Sequence, residues 1–89
     1  MAAFIVTYDL HKQGQNYDCI IKKLNAYQSR WHMQGSVWIV SGDHTAASIR
    51  DNLKPCLDSN DTLFVGKLSA AAWFGFGDKG SAWLKNVIA

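Results

Sequence analysis

The spacing of apolar residues changes several times along the chain, and each change marks an element. Phe4-Ile5-Val6-Thr7-Tyr8 is a β-branched and aromatic run without a turn former. Such a run predicts a strand buried on both faces. The polar stretch HKQGQN follows as a loop. From Tyr17 the apolar positions fall at Ile20, Ile21, Leu24 and Tyr27, the stripe of an amphipathic helix. Asn16 suits its N-cap, Asp18 suits the positive end of its dipole, and Lys22 and Lys23 take the solvent side.

Trp31 to Met33 and Val37 to Val40 are strand-like, and the Gln34-Gly35-Ser36 link is short enough for a hairpin. Thr45 can cap a second helix whose apolar residues are Ala46, Ile49, Leu53 and Leu57. Pro55 lacks a backbone donor, so this helix must end or kink just before it. LDSND reads as a turn and TLFVGKL as a further strand. The order is βαββαβ, which predicts an α+β, ferredoxin-like sandwich over residues 1–68. Residues 69–89 form a C-terminal extension, with Trp83, Leu84, Val87 and Ile88 on one face of a short last helix. A sheet with helices on one side leaves the other side apolar and open. That face predicts either cover by the extension or a homodimer, and the homodimer is the expected arrangement.

The chain has 89 residues, enough for one domain with a single core. Its hydrophobic share is 48%, with four Trp, four Phe and three Tyr, which excludes a disordered chain. No apolar run approaches the ~20 residues that span a bilayer, so no membrane partner is expected. The opening MAAFIVTYDL has no basic region before its apolar run, which argues against a signal peptide and for a cytoplasmic protein. A net charge of +2 permits a phosphate-bearing partner without demanding one. Cys19 and Cys56 stand far apart with no CxxC spacing, a poor signal for zinc or for a disulfide, and read as small packed side chains.

GFGDKG, residues 75–80, has the GxGxxG spacing of a dinucleotide site, but too little chain follows to close a βαβ unit. Glycines that turn an apolar tail explain it better. Among the histidines, His11 lies close to Asp9 in a loop, where it could act as a base or a metal neighbour. His44 falls beside Asp43 in a turn and reads as a solvated polar group, whereas His32 falls in a strand between aromatic residues.

All seven acidic residues are Asp, and one of them, Asp9, closes the first strand. A carboxylate beside an apolar sheet is poorly solvated unless a cation or hydrogen-bond donors attend it. Two readings follow. Asp9 holds Mg²⁺ or Mn²⁺, with two subunits contributing one carboxylate each, or it accepts hydrogen bonds from the amides of the HKQG loop.

Tyr8-Asp9 at a strand end, Gln34-x-Ser36-Val37-Trp38 across the hairpin and the DTLFVGKL strand together resemble the small CRISPR-associated protein two. The pattern of VTYDL, the WH pair, WIV, IRDNLKP and LDSND is closer still to that family's stand-alone SinR-like relatives. The resemblance covers about residues 4–68, and the extension matches only the stand-alone group. It implies a ferredoxin-like homodimer in which the strand-one Asp of both subunits faces a cleft and supports metal-dependent phosphodiester cleavage. On that basis Asp9 is the catalytic and metal-binding residue. Tyr8, His11, Lys12, His32, Gln34 and Ser36 are the candidate substrate or ligand contacts. His32 stands where the family commonly has an Arg, which weakens the implied phosphate contact. The resemblance equally implies a non-catalytic scaffold that binds nucleic acid, and the related virulence-associated ribonuclease toxins share the fold. The function expected is therefore a nuclease or a binder of nucleic acid or nucleotide phosphates. The alternative is a non-catalytic dimer with a nucleic-acid, nucleotide or protein partner in bacterial defence or phage counter-defence.

Overall fold

A computed structural model describes residues 2–10 and 17–88. The elements are strand β1 (Ala2–Asp9), helix α1 (Tyr17–Asn25), strands β2 (Ser29–Gln34) and β3 (Val37–Gly42), helix α2 (Ala46–Leu53), strand β4 (Thr62–Leu68) and helix α3 (Asp78–Ile88). One turn of 3₁₀ helix, Lys54–Cys56, follows α2. The strands lie in the order β2-β3-β1-β4, and every neighbouring pair is antiparallel. This α+β arrangement is compatible with a ferredoxin-like fold.

Local chemistry sets the limits of the elements. Thr45 and Ser48 form a capping box: the Ser48 N–H donates to Thr45 Oγ1 and the Thr45 N–H donates to Ser48 Oγ, both at 3.0 Å. These bonds satisfy two donors at the start of α2. At its other end Pro55 falls in the first turn of the 3₁₀ segment, where its missing N–H costs nothing. The predicted fourth apolar position, Leu57, therefore lies beyond the helix. The LDSND turn closes on itself, with the Asp58 N–H donating to the Asp61 carboxylate at 2.8 Å.

Side-chain alternation sends β1 into two cores. Phe4, Val6 and Tyr8 join Trp38 and Val40 under α1 and α2, where Ile20, Leu24, Ile49 and Leu53 are fully buried. Ala3 and Ile39 pack on the opposite side with Leu84 and Val87 of α3, against Trp31, Trp73, Phe76 and Trp83. The first strand is thus covered on both sides, as its unbroken apolar run predicts. The extension covers the second face within its own chain. That cover removes the physical reason for placing a second subunit over α3, and leaves only the Asp9 end of this face open, where Phe64 is exposed.

Two expectations about small residues change. Cys19 and Cys56 are joined in a disulfide, with Cα atoms 5.6 Å apart, rather than packed as separate thiols. Their separation of 37 residues hides the pairing in the sequence, yet α1 and the 3₁₀ turn lie side by side under the same core. In GFGDKG, Gly75 has φ +94°, a turning role that glycine fills without strain. Gly80 has a different role: a Cβ there would come within 2.8 Å of Trp31 Cη2, so its bareness lets α3 close onto the sheet.

Candidate functional site

The β2–β3 hairpin, the end of β1 and the start of β4 meet at one end of the sheet. Asp9 pairs with Thr62 of β4, and the Tyr8 N–H donates to the Ser36 carbonyl at 3.2 Å. This bond fixes the hairpin turn against β1. Trp38 Nε1 donates to the Tyr8 hydroxyl at 3.2 Å. His32 stacks on the Trp38 indole with centroids 4.1 Å apart and planes 9° from parallel. Its Nε2 lies 2.6 Å from the Gly35 carbonyl, the geometry of an imidazole N–H donating to the hairpin turn. The turn therefore positions a His32–Trp38–Tyr8 array, and the Tyr17 ring stands 6.3 Å from that of Tyr8.

Burial raises the Tyr8 phenol above its ordinary pKa; the Trp38 hydrogen bond opposes this rise and the nearby Tyr17 adds to it. A phenol held neutral in this way serves as a hydrogen-bonding wall rather than a base.

Adjacent residues in a strand point to opposite faces. Tyr8 and Leu10 belong to the core under α1 and α2, so the alternation takes Asp9 to the α3 side. Asp9 is exposed. The expectation of a poorly solvated carboxylate is thus corrected: the strand end opens to water. The YD pair does not converge on one point, and His32 lies with Tyr8 rather than with Asp9. Gln34 is exposed and Ser36 half-buried. His11 and Lys12, with the loop amides offered as partners of Asp9 and the predicted N-cap Asn16, lie outside the described residues.

Trp38 is the functional candidate that residue-by-residue reading underrates. Its place in the WIV strand suggests a core residue, which it is, at 2% exposure. The signal for a second role is the pairing of that buried indole N–H with the tyrosine that closes the apolar run, since a buried Trp donor needs an acceptor.

Among the described residues, no three His, Cys, Asp or Glu side chains come together to hold a metal. One chain offers Asp9 alone as the assigned ligand, so it does not by itself fit a resident divalent cation. No helix among the described residues is long and apolar enough to cross a membrane. No protein-family model matches the chain.

Proposed function

We propose that this protein binds nucleic acid or nucleotide phosphates as a homodimer, at the end of the sheet where β1 terminates. The observation that carries the reading is the exposure of Asp9 beside a strand end tied to the hairpin turn. In its catalytic form, Asp9 of each of two copies would hold Mg²⁺ or Mn²⁺, ions that need only one or two carboxylates beside water and phosphate oxygens. The ion would neutralise charge on the phosphodiester; the chain's own part is to hold the carboxylates at the sheet ends. Phe64 is 62% exposed and pairs with Thr7, close to Asp9. It supplies apolar surface for a second copy at that end.

The placement of Tyr8 and His32 on the other side of the sheet from Asp9 favours the second reading, a non-catalytic binding dimer in bacterial defence or phage counter-defence. The proposed location is the cytoplasm, with the Cys19–Cys56 disulfide weighing against it, because reducing compartments keep most thiols free.

The deciding experiment incubates wild type and Asp9→Asn with RNA and DNA in Mg²⁺ or Mn²⁺, alongside light scattering. The catalytic form expects metal-dependent cleavage that Asp9→Asn abolishes while the dimer persists. The binding form expects no cleavage by wild type and nucleic-acid affinity equal or improved in the variant. A monomer with neither cleavage nor affinity for RNA, DNA or nucleotides overturns both.

A further inference from the structure

At the opposite end of the sheet from Asp9 lies an open cavity of about 690 Å³, lined by Tyr27, Ser29, Ser41, Gly42, Asp43 and His44 among others. Its position follows from register, since Ala2 and Ala3 at the start of β1 pair with Gly42 and Ser41. We propose that this cavity binds a nucleobase carrying adjacent N–H donors, with guanosine as the simplest ligand.

Its walls are built rather than incidental. The Tyr27 and His44 rings meet edge to face, with centroids 5.1 Å apart and planes at 84°. Two perpendicular aromatic planes form a corner in which a flat heterocycle stacks on one ring while its edge meets the other. Both rings are held in place. Asn52 Nδ2 donates to the Tyr27 hydroxyl at 3.0 Å, so Tyr27 offers its ring rather than its polar tip. His44 sits over Gly42, whose φ of +141° suits glycine, and a Cβ at Gly42 would lie 3.1 Å from His44 Nε2. The His44 N–H also donates to the Gly42 carbonyl at 3.0 Å.

The polar lining selects among planar ligands. Ser41, only 2% exposed, donates to Ser29 Oγ at 3.1 Å. That leaves the Ser29 hydroxyl hydrogen to donate to a ligand acceptor. Asp43 is the one formal charge in the lining, which contains no Lys or Arg. A phosphate is therefore repelled rather than anchored, and N–H donors are attracted. A carboxylate accepts two parallel hydrogen bonds from adjacent donors, and the guanine edge presents such a pair. The helix terminus contributes little, because the Thr45–Ser48 capping box already satisfies donors there. The size falls within the range of small-molecule sites.

This site stands independently of Asp9. The test titrates the full-length protein with guanosine, inosine, adenosine and uridine while backbone and aromatic resonances are recorded. Guanosine is expected to shift Tyr27, Ser29, Ser41 and His44 saturably, with inosine, which lacks the exocyclic amino group, at least fivefold weaker. Asp43→Asn, an exposed change that leaves packing intact, is expected to weaken guanosine about tenfold and to erase the difference from inosine. Tyr27→Leu keeps apolar volume but removes the ring, with a similar loss expected. Asp9→Asn should leave guanosine binding unchanged, which separates this result from that of the proposed function. The proposal is overturned if guanosine fails to saturate these resonances at millimolar concentration. It is equally overturned if inosine or uridine binds as tightly, or if Asp43→Asn binds guanosine like wild type.

Discussion

The two faces of the sheet are covered by the same chain in different ways. Under α1 and α2, the sheet presents Phe4, Val6, Trp38 and Val40 to Ile20, Leu24, Ile49 and Leu53, all 2% exposed or less. The Cys19–Cys56 disulfide staples that layer. On the α3 side the packing is rich in aromatics: Trp31 of β2 and Trp73, Phe76 and Trp83 of the cover are only partly buried around Ala3, Ile39, Leu84 and Val87. Trp31 meets Phe76 and Trp83 edge to face, with centroids 5.1 and 6.2 Å apart. A gap of about 160 Å³ remains there, lined by Ile5, Met33, Trp73 and Phe76 among others. The first face belongs to βαβ crossovers that leave and rejoin the sheet, so both ends of each helix are tethered. The second is laid down by a terminal extension tethered through β4 alone. Cover held at both ends packs closely, whereas cover held at one end relies on large rings to fill uneven space.

Truncation of the core is expected to separate the faces most. Phe4→Ala should cost about 3–5 kcal/mol, because its surroundings are close-packed and cannot collapse into the space. Leu84→Ala is buried to a similar degree, at 3% against 1%, but should cost about 2 kcal/mol, at the low end of such changes. The neighbouring gap lets Trp73 and Phe76 shift to compensate. Chemical denaturation of both variants gives the comparison, and equal costs would mean that the second face is as rigid as the first.

Opening the disulfide comes next. A closed loop of this length restricts the unfolded chain enough that its loss should cost between about 2 and 4 kcal/mol. The Cys19→Ser/Cys56→Ser double variant, and wild type under dithiothreitol, should both melt at lower temperature. Hydrogen exchange should rise in α1 and the 3₁₀ turn while α3 keeps its protection. A uniform rise across both faces would show that they unfold as one unit. Thiol trapping followed by mass spectrometry of protein taken directly from cells reports whether the bond exists where the protein works.

The smallest effect expected is at Tyr8, on the stapled face. Burial keeps its phenol protonated above the pH at which the unfolded chain ionises, so the folded state binds more protons there. Its contribution is whole below the unfolded value of about 10 and is lost as pH rises through the higher folded value. Melting temperature should therefore fall more steeply above about pH 10 in wild type than in Tyr8→Phe. At neutral pH the same variant should lose about 1 kcal/mol, the worth of one hydrogen bond from Trp38. Parallel pH profiles for the two proteins would remove the phenol from the account.

The period of the apolar positions was enough to place β1, α1, the hairpin, α2, β4 and α3, because strand and helix spacing are local consequences of backbone geometry. Thr45 and Pro55 likewise marked the limits of α2 through chemistry within a few residues of each. The candidate site was only half legible. Asp9 could be placed at a strand end, but its exposure and its separation from Tyr8 and His32 depend on which face each side chain takes once β1 is seated between β3 and β4. The Tyr27–His44 corner joins the end of one helix to the entry of another, and no local spacing brings those residues together. Cys19 finds Cys56 only because two helical segments lie on the same side of the sheet. The choice between a partner subunit and the chain's own tail for the second face was also made in three dimensions. Apolar burial is non-directional: the pattern states that this face must be covered, and only packing, with Gly80 bare against Trp31, decides by what.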